Sequence, residues 1–325
     1  HITQKFNHLH LFEHRNCSCP TYQVGQEHHE NVDILGDRLH TNPSLLLFKE
    51  YINTLYMKIL VLGSHGIIGS GLCKHLIELG HVVTPWDIKI TPMHDLTLTE
   101  NMHSLKCAVS DADFVFFLAY DIGGAKYITN AGMSFIDKNV MIMMNTFGQL
   151  QTKKFIFASS TMHNMSHVYG TLKKLGEEYT SRLGGLTVRF WNVYGPEKSS
   201  PKSHVIADMI HKYKTKGYID LMTSGEEERQ FLHTDDCAKA LTELMNHYDD
   251  IIKTHTNVDI TNFEWTKIKD LAKLICDDVR VTDITITTHD RQNEPRPFIL
   301  KYWKPTITVE EGVTSLQSDY RYHIP

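Results

Sequence analysis

Residues 57–72 read MKILVLGSHGIIGSGL, and the reading of the whole chain starts from them. Met57 and the run Ile59–Leu62 make a segment apolar on both faces, as a strand buried inside a parallel sheet requires. Gly63, Gly66 and Gly69 follow at once, and Leu72, His75, Leu76 and Leu79 then recur at helical spacing up to Gly80. A strand, a glycine turn and a helix in direct succession give a short glycine pattern physical meaning. One glycine can take a positive φ at the turn, a second lets the backbone approach a pyrophosphate, and a third lets helix and strand pack closely. The helix N-terminus then faces the phosphates with its free N–H groups. The spacing is G-x-x-G-x-x-G, and it supports a dinucleotide site.

Outward from that stretch the alternation continues. His81–Asp87 (HVVTPWD) reads as a second buried strand, ending in an acid 18 residues after Gly69. An aspartate there can accept hydrogen bonds from an adenosine ribose and repels a 2′-phosphate, so NAD is expected over NADP. A helix is expected after His94-Asp95-Leu96-Thr97 to about Cys107, a third parallel strand over Ala112–Tyr120 and a long helix over about Ser134–Leu150. A fourth strand covers Lys154–Ala158. Asp121-Ile122-Gly123-Gly124 leaves the third strand at its C-terminal end, where ligands of open α/β sheets sit. This order predicts an α/β fold with right-handed crossovers, a Rossmann-like doubly wound parallel sheet with a smaller C-terminal α/β region that binds substrate.

Composition narrows the class. A chain of 325 residues with 41% hydrophobic content can bury a sizeable core. Its net charge of -5 and pI near 6.5 give no basic field for nucleic acid or an acidic membrane. No apolar run is long enough to span a bilayer, no signal-peptide pattern opens the chain, and six scattered cysteines fit reduced thiols, so a cytoplasmic protein is expected. Residues 1–56 differ from the rest: they hold seven histidines, and Asn42-Pro43-Ser44 opens a short helical pattern through Leu45, Leu46, Phe48 and Ile52. Cys17, Cys19, His28 and His29 are zinc-ligand types, but C-x-C without a second matched pair is poor support, and no metal is expected. The organisation expected is an N-terminal extension at 1–56, a dinucleotide-binding domain at 57–190 and a mainly substrate-binding region at 191–325.

The chemistry concentrates at the fourth strand. It delivers Ser159-Ser160-Thr161 to the ligand edge, and Tyr169-Gly-Thr-Leu-Lys173 opens a helix to about Leu183. Tyrosine and lysine at i and i+4 share a helix face, and an ammonium beside a phenol favours the phenolate. Such a tyrosine can exchange a proton near neutral pH, and a nearby serine can bond the reacting oxygen. Tyr-x-x-x-Lys alone is a common accident. With a serine-ended strand and an upstream glycine turn it becomes specific.

From Met57 onward the chain resembles the extended short-chain dehydrogenase/reductase family, in its NAD-dependent nucleotide-sugar epimerase/dehydratase branch, near the GDP-L-fucose synthases and GDP-mannose 3,5-epimerases. The residues that carry this are GSHGIIGS (63–70), HDLT (94–97), LAYDIGGAKYI (118–128), ASST (158–161), YGTLKK (169–174), RFWNVYGP (189–196), SHVIADMI (203–210), RQFLHTDD (229–236) and YWKPTITVEEGV (302–313). The resemblance implies catalytic roles for Ser160, Tyr169 and Lys173, with His204 as an acid/base partner in epimerisation. It places the cofactor against Gly63, His65, Gly66, Ile67, Ile68, Gly69, Asp87, Asp95, Leu96, Leu118, Ala119 and Tyr120, besides Tyr169 and Lys173. The substrate would meet Gly123, Gly124, Thr161, Asn192 after the sixth strand, Lys202 and His204, with Arg229 and Arg296 clamping a nucleotide diphosphate. A homodimer is also implied, through the helices near 134–150 and after Tyr169, with Met141, Met144 and Phe147 as its apolar surface.

The chain departs from that pattern at three places. Met162 stands where these relatives have a cysteine, and a thioether cannot carry a proton, which leaves His163 or His204 for that work. Only eight residues separate Ser160 from Tyr169, and the stretch between Arg296 and Trp303 is short. Thr161-Met162 also lacks the Asp-Glu pair of the dehydratases. The expected function is an epimerase/reductase working through a 4-keto intermediate on a nucleotide-activated hexose, foremost a GDP-sugar. The alternatives are a simple nucleotide-sugar 4-epimerase and a non-catalytic NAD-binding sensor or scaffold.

Overall fold

The computed structural model describes residues 56–165, 167–197, 202–281 and 293–318. The possible zinc ligands Cys17, Cys19, His28 and His29, and the helical pattern after Asn42, lie outside the described residues.

Strand β1 (Lys58–Leu62) is apolar on both faces because each face has its own core. Ile59 and Val61 pack with one layer of helices, and Leu60 and Leu62 with the other. The sheet runs β2 (Val82–Trp86), β1, β3 (Phe114–Phe117), β4 (Lys154–Ser160), β5 (Leu186–Phe190), β10 (Asn257–Ile260), and every neighbouring pair is parallel. One face carries α1 (Ile67–Glu78) and α7 (Thr234–Asn246), which meet the sheet through Leu72, Leu76, Leu241 and Leu244. The other carries α2 (Met102–Asp111), α4 (Met133–Phe147) and α5 (Val168–Arg182), through Leu105, Met143, Phe147 and Leu172. Complete burial of each apolar side chain in β3, FVFF, contributes roughly 1.5–3 kcal/mol. Chain order reverses at β1, which has β2 on one side and β3 on the other. That reversal opens a crevice at the carboxyl ends of β1 and β3. The doubly wound α/β sheet expected from the sequence is therefore the fold.

A third core lies in the C-terminal part. It joins α6 (Val205–Lys216), α9 (Ile268–Ile275) and α10 (Val309–Ser318) through Ile206, Ile210, Leu271, Ile275 and Val313. Short strand pairs frame it: β6 (Asn192–Tyr194) with β9 (Phe231–His233), β7 (Ile219–Leu221) with β12 (Val279–Val281), and β8 (Glu228–Arg229) with β11 (Thr266–Lys267). The short helices α3 (Ala125–Thr129) and α8 (Tyr248–Ile251) complete the described α-helices.

Three expectations shift in detail. Helix α2 starts at Met102, later than expected, because Asp95 accepts from Thr97 N and Oγ1 and closes a local turn instead. Asn192 opens the sixth strand in chain order instead of following it, and that strand pairs with β9 outside the main sheet. Phe147 is buried in the core between α4 and the sheet, so it cannot serve as free surface.

The C-terminal segment is anchored by one carboxylate. Asp236, fully buried in the first turn of α7, accepts from Thr306 N at 2.6 Å, Thr306 Oγ1 at 2.7 Å and Ile307 N at 2.7 Å. Burial opposes its charge, but these donors outweigh burial and hold the carboxyl below its ordinary 3.8. A carboxyl depressed in this way contributes stability above the ordinary value and loses it as pH falls through the lower, folded one. Asp236→Ala removes the acceptor of three part-buried donors, and is expected to lower stability by about 2 kcal/mol in urea unfolding at neutral pH. The gap between variant and wild type should narrow as the pH falls below about 4.

Candidate active site

The crevice at the reversal is walled first by the turn after β1. Gly63 has φ +87°, and a Cβ there would stand 2.7 Å from Ala119 N. A Cβ on Gly69 would stand 2.1 Å from Gly63 O, so α1 reaches its place only because residue 69 has none. Gly66 is different: a Cβ there would meet only Gly63 O at 3.4 Å, an ordinary contact. The protein itself needs the outer two glycines, whereas the middle one leaves open the space in front of the helix. Gly66 caps α1 without a side-chain bond, and the first turn carries no acid to neutralise its field.

At the end of β2, Asp87 accepts His65 N at 2.9 Å and Lys89 N at 2.9 Å, and Lys89 Nζ donates to His65 O at 3.0 Å. Trp86 stacks on His94 beside them, ring centroids 4.0 Å apart. The cavity that begins here runs along the carboxyl ends of the strands and encloses about 1630 Å³. That exceeds the roughly 300–1,000 Å³ of a site for one small molecule and suits two ligands side by side.

The far wall carries the serine, tyrosine and lysine. Ser160 ends β4, where its Oγ accepts Met162 N at 3.2 Å, and it lines the cavity together with Tyr169. His167 caps α5, its Nδ1 accepting Gly170 N at 3.0 Å, and so fixes where Tyr169 enters the helix. Burial pushes the Tyr169 phenol up to about 12, with the Ser160 hydroxyl pulling the other way. Lys173, 3% exposed, donates to Ala158 O at 2.7 Å. Burial pulls its ammonium down to about 7, with the Glu177 charge opposing. Glu177 is itself held by Arg189 Nη2 at 2.6 Å and by the Ser159 hydroxyl at 2.6 Å.

The C-terminal half supplies the opposite side. His204 stands just before α6, its Nδ1 3.0 Å from Glu197 Oε1 and its backbone N 2.9 Å from Glu197 Oε2. A carboxylate only accepts, so Nδ1 carries the hydrogen and Nε2 is left as the nitrogen that can take a proton. The strand-end loop meets this segment directly: Gly124 N donates to Lys202 O at 2.8 Å, and Lys202 Nζ lies 2.5 Å from Asp121 Oδ1. Asn139, fully buried on α4, fixes Asp121 by bonding both its N–H and its carbonyl.

Of the catalytic, cofactor-binding and substrate-binding residues that the resemblance implies, all but one line this cavity. The exception is Arg296, whose guanidinium and backbone N–H bind Asp259 on β10, Nε and N each 2.9 Å from Oδ2. His163 is also absent from the wall: its Nδ1 lies 3.1 Å from Ser160 O, and burial lowers its pKa. Met162 does line the cavity. Glu197, Asp121 and the edge-to-face pair Trp191 and Trp265, 5.6 Å apart, are wall residues that sequence reasoning missed. Of these, only Asp121 carried a signal, standing directly after the third strand.

The sequence matches the NAD dependent epimerase/dehydratase family over residues 59–259. The chain belongs to that family. The matched stretch carries the glycine turn, Ser160, Tyr169 and Lys173, which share one cavity. A probable GDP-L-fucose synthase 1 of Oryza sativa subsp. japonica is 25% identical over 311 residues, which cover 82% of this chain and 92% of that protein. MlghC, a GDP-mannoheptose C4 reductase from Campylobacter jejuni with NADP bound, superposes with a TM-score of 0.68 at 19% identity, over 82% of this chain and 99% of that one. WbmF from Bordetella bronchiseptica, in complex with NAD+, gives 0.62 at 20% identity over 83% and 94%. Relatives and structural neighbours are thus nucleotide-sugar epimerases and reductases, the protein is an enzyme, and the family binds NAD(P). None of the described helices is long and apolar enough to cross a membrane.

The glycines separate fold from ligand. Gly69→Ala is expected to unfold the protein or lower its melting temperature sharply, since its Cβ would overlap backbone. Gly66→Ala should melt within a few degrees of wild type yet lose most of its NAD(H) affinity by calorimetric titration. A Gly66→Ala variant that binds as wild type would show that the middle glycine does not face the cofactor.

Proposed function

We propose that this enzyme is an NAD-dependent epimerase/reductase acting on a nucleotide-activated hexose, foremost a GDP-sugar, through a 4-keto intermediate. The observation that carries the reading is that Ser160, Tyr169 and, one helical turn on, Lys173 line the same cavity as the open turn at Gly66. Residues 57–190 would hold the dinucleotide, its pyrophosphate before α1 and its adenosine ribose at Asp87, and residues 191–325 mainly the sugar nucleotide. When bound, the nicotinamide supplies the hydride acceptor for carbon 4 of the sugar. Tyr169 moves the proton of the C4 hydroxyl, and Ser160 bonds the same oxygen and steadies its charge. The buried phenol is a proton donor on its own, so taking a proton depends on the nearby Lys173 charge. Arg229, on the cavity wall, is the proposed clamp for the diphosphate, and Arg296 is left out of that role because Asp259 holds it. His204, oriented by Glu197, would exchange protons on a carbon beside the 4-ketone.

Met162 favours a second reading. With a thioether at the cavity wall and His163 turned onto Ser160 O, His204 is the proton-exchanging side chain proposed for that step. If it does not act, the enzyme is a simple 4-epimerase or 4-reductase. Scattered cysteines held in no disulfide, Cys73, Cys237 and Cys276 among the described residues, support a cytoplasmic setting. A homodimer is proposed across α4 and α5, which expose Met141 at 41%, Met144 at 61%, Leu175 at 42% and Tyr179 at 39%.

Tyr169→Phe is expected to cut kcat by about 10²- to 10⁴-fold on whichever of the GDP-, UDP- or dTDP-hexoses turns over, while cofactor binding persists. The accompanying titrations should favour NAD(H) over NADP(H), with Asp87→Ala narrowing the gap. Equal turnover by Tyr169→Phe would overturn the assignment, and tighter NADP(H) binding the cofactor preference. Light scattering at micromolar concentration should give twice the chain mass, and Met144→Glu should lower it. A monomeric wild type would remove the dimer.

A further inference from the structure

The catalytic reading leaves Tyr120 unexplained. It lies three residues after β3, its hydroxyl is buried, and that hydroxyl has no hydrogen-bond partner among the described residues. What it offers its surroundings is a ring. Lys173 Nζ lies 3.5 Å from the centroid of that ring, against 5.7 Å from the ring of Tyr169. The rings of Tyr120 and Tyr169 meet edge to face, 6.1 Å apart at 78°. An ammonium has three N–H donors, and Lys173 makes one hydrogen bond, to Ala158 O. The face of Tyr120 stands where further acceptors would be needed. An aromatic face is the one apolar surface that attracts a cation, and the attraction is greatest where water is excluded.

We propose that the ring face of Tyr120 keeps Lys173 charged and aimed, making Tyr120 a positioning residue for the Tyr169–Lys173 couple. The charged and titratable groups that face Lys173 among the described residues are few. Glu177 acts from the same helix, already held by Arg189 of β5, and the others are the phenols of Tyr169 and Tyr120. Burial has brought the lysine to about 7, so at neutral pH a small loss of support decides whether it is charged. Removing the face destabilises the ammonium but not the amine, which moves the midpoint down. A fall of about one pH unit would leave roughly a tenth of the lysines charged at pH 7 in place of about half. The loop after β3, rather than the helix that bears the couple, would then set its protonation.

The inference rests on Tyr169 and Lys173 being the couple, but its test uses neither substrate nor cofactor. The readout is the Lys173 side-chain resonance of the full chain, followed against pH by heteronuclear NMR and assigned by its loss in Lys173→Met. Tyr120→Phe keeps the face and should leave the midpoint unchanged. Tyr120→pentafluorophenylalanine keeps the shape but reverses the ring's charge distribution, and should lower the midpoint by about one pH unit. Where the fluorinated chain does not fold, Tyr120→Leu set against Tyr120→Phe gives the same comparison. A fluorinated or Leu variant that titrates like Tyr120→Phe overturns the proposal, and so does a Tyr120→Phe that shifts as far as they do. Failure of the Tyr169→Phe experiment would remove the couple and leave these midpoints standing, so the two failures are distinguishable.

Discussion

Everything in this site depends on how closely α1 approaches the turn after β1. Gly69 lies over Gly63 O at a distance no side chain allows, and Gly63 in turn lies against Ala119 at the end of β3. These two contacts set the direction of α1, join the ends of β1 and β3, and so fix the width of the crevice at the reversal of strand order. Burial of β1 on both faces makes the arrangement stiff, because neither core can shift without opening the other. The open space before Gly66 is a by-product of that stiffness.

Around the cavity stand polar anchors, each with its partner. Asn139 clasps Asp121, Glu177 is forked by Arg189, and Asp259 holds Arg296. Such pairs add modestly to stability, since desolvation offsets most of their attraction, but losing one partner strands the other. Their effect is to hold loops. Asp121 meets Lys202, Lys202 precedes His204 by two residues, and Glu197 turns the imidazole. The two halves of the cavity are thereby tied together beside His204.

What could be read in the sequence was local. The β1–α1 unit is visible because glycine spacing and apolar periodicity lie within one short stretch. Ser160, Tyr169 and Lys173 are visible because a strand end and an i, i+4 pair are short-range patterns. Arg296 was misjudged because its partner Asp259 lies 37 residues earlier, on a strand whose neighbour in the sheet is β5. The start of α2 moved because a single side chain, Asp95, competed with the helix for backbone N–H groups. Phe147 looked like surface because periodicity marks an apolar face without saying what covers it. Tyr120 and Glu197 act through residues that only the folded chain brings to them.

The sixth strand of the sheet comes from far along the chain. β10 pairs with β5, and α7, which packs on α1, also follows the first strands of the substrate half. Residues 57–190 are therefore not a detachable cassette. A fragment ending after β5 would expose the full edge of a buried parallel strand, along with the apolar flank of α1, and would tend to pair with other chains. Exchange of substrate regions between related enzymes cannot proceed by joining halves at that point. It would have to graft loops onto a continuous scaffold, and new specificities in such a chain would arise by loop replacement rather than by fusion.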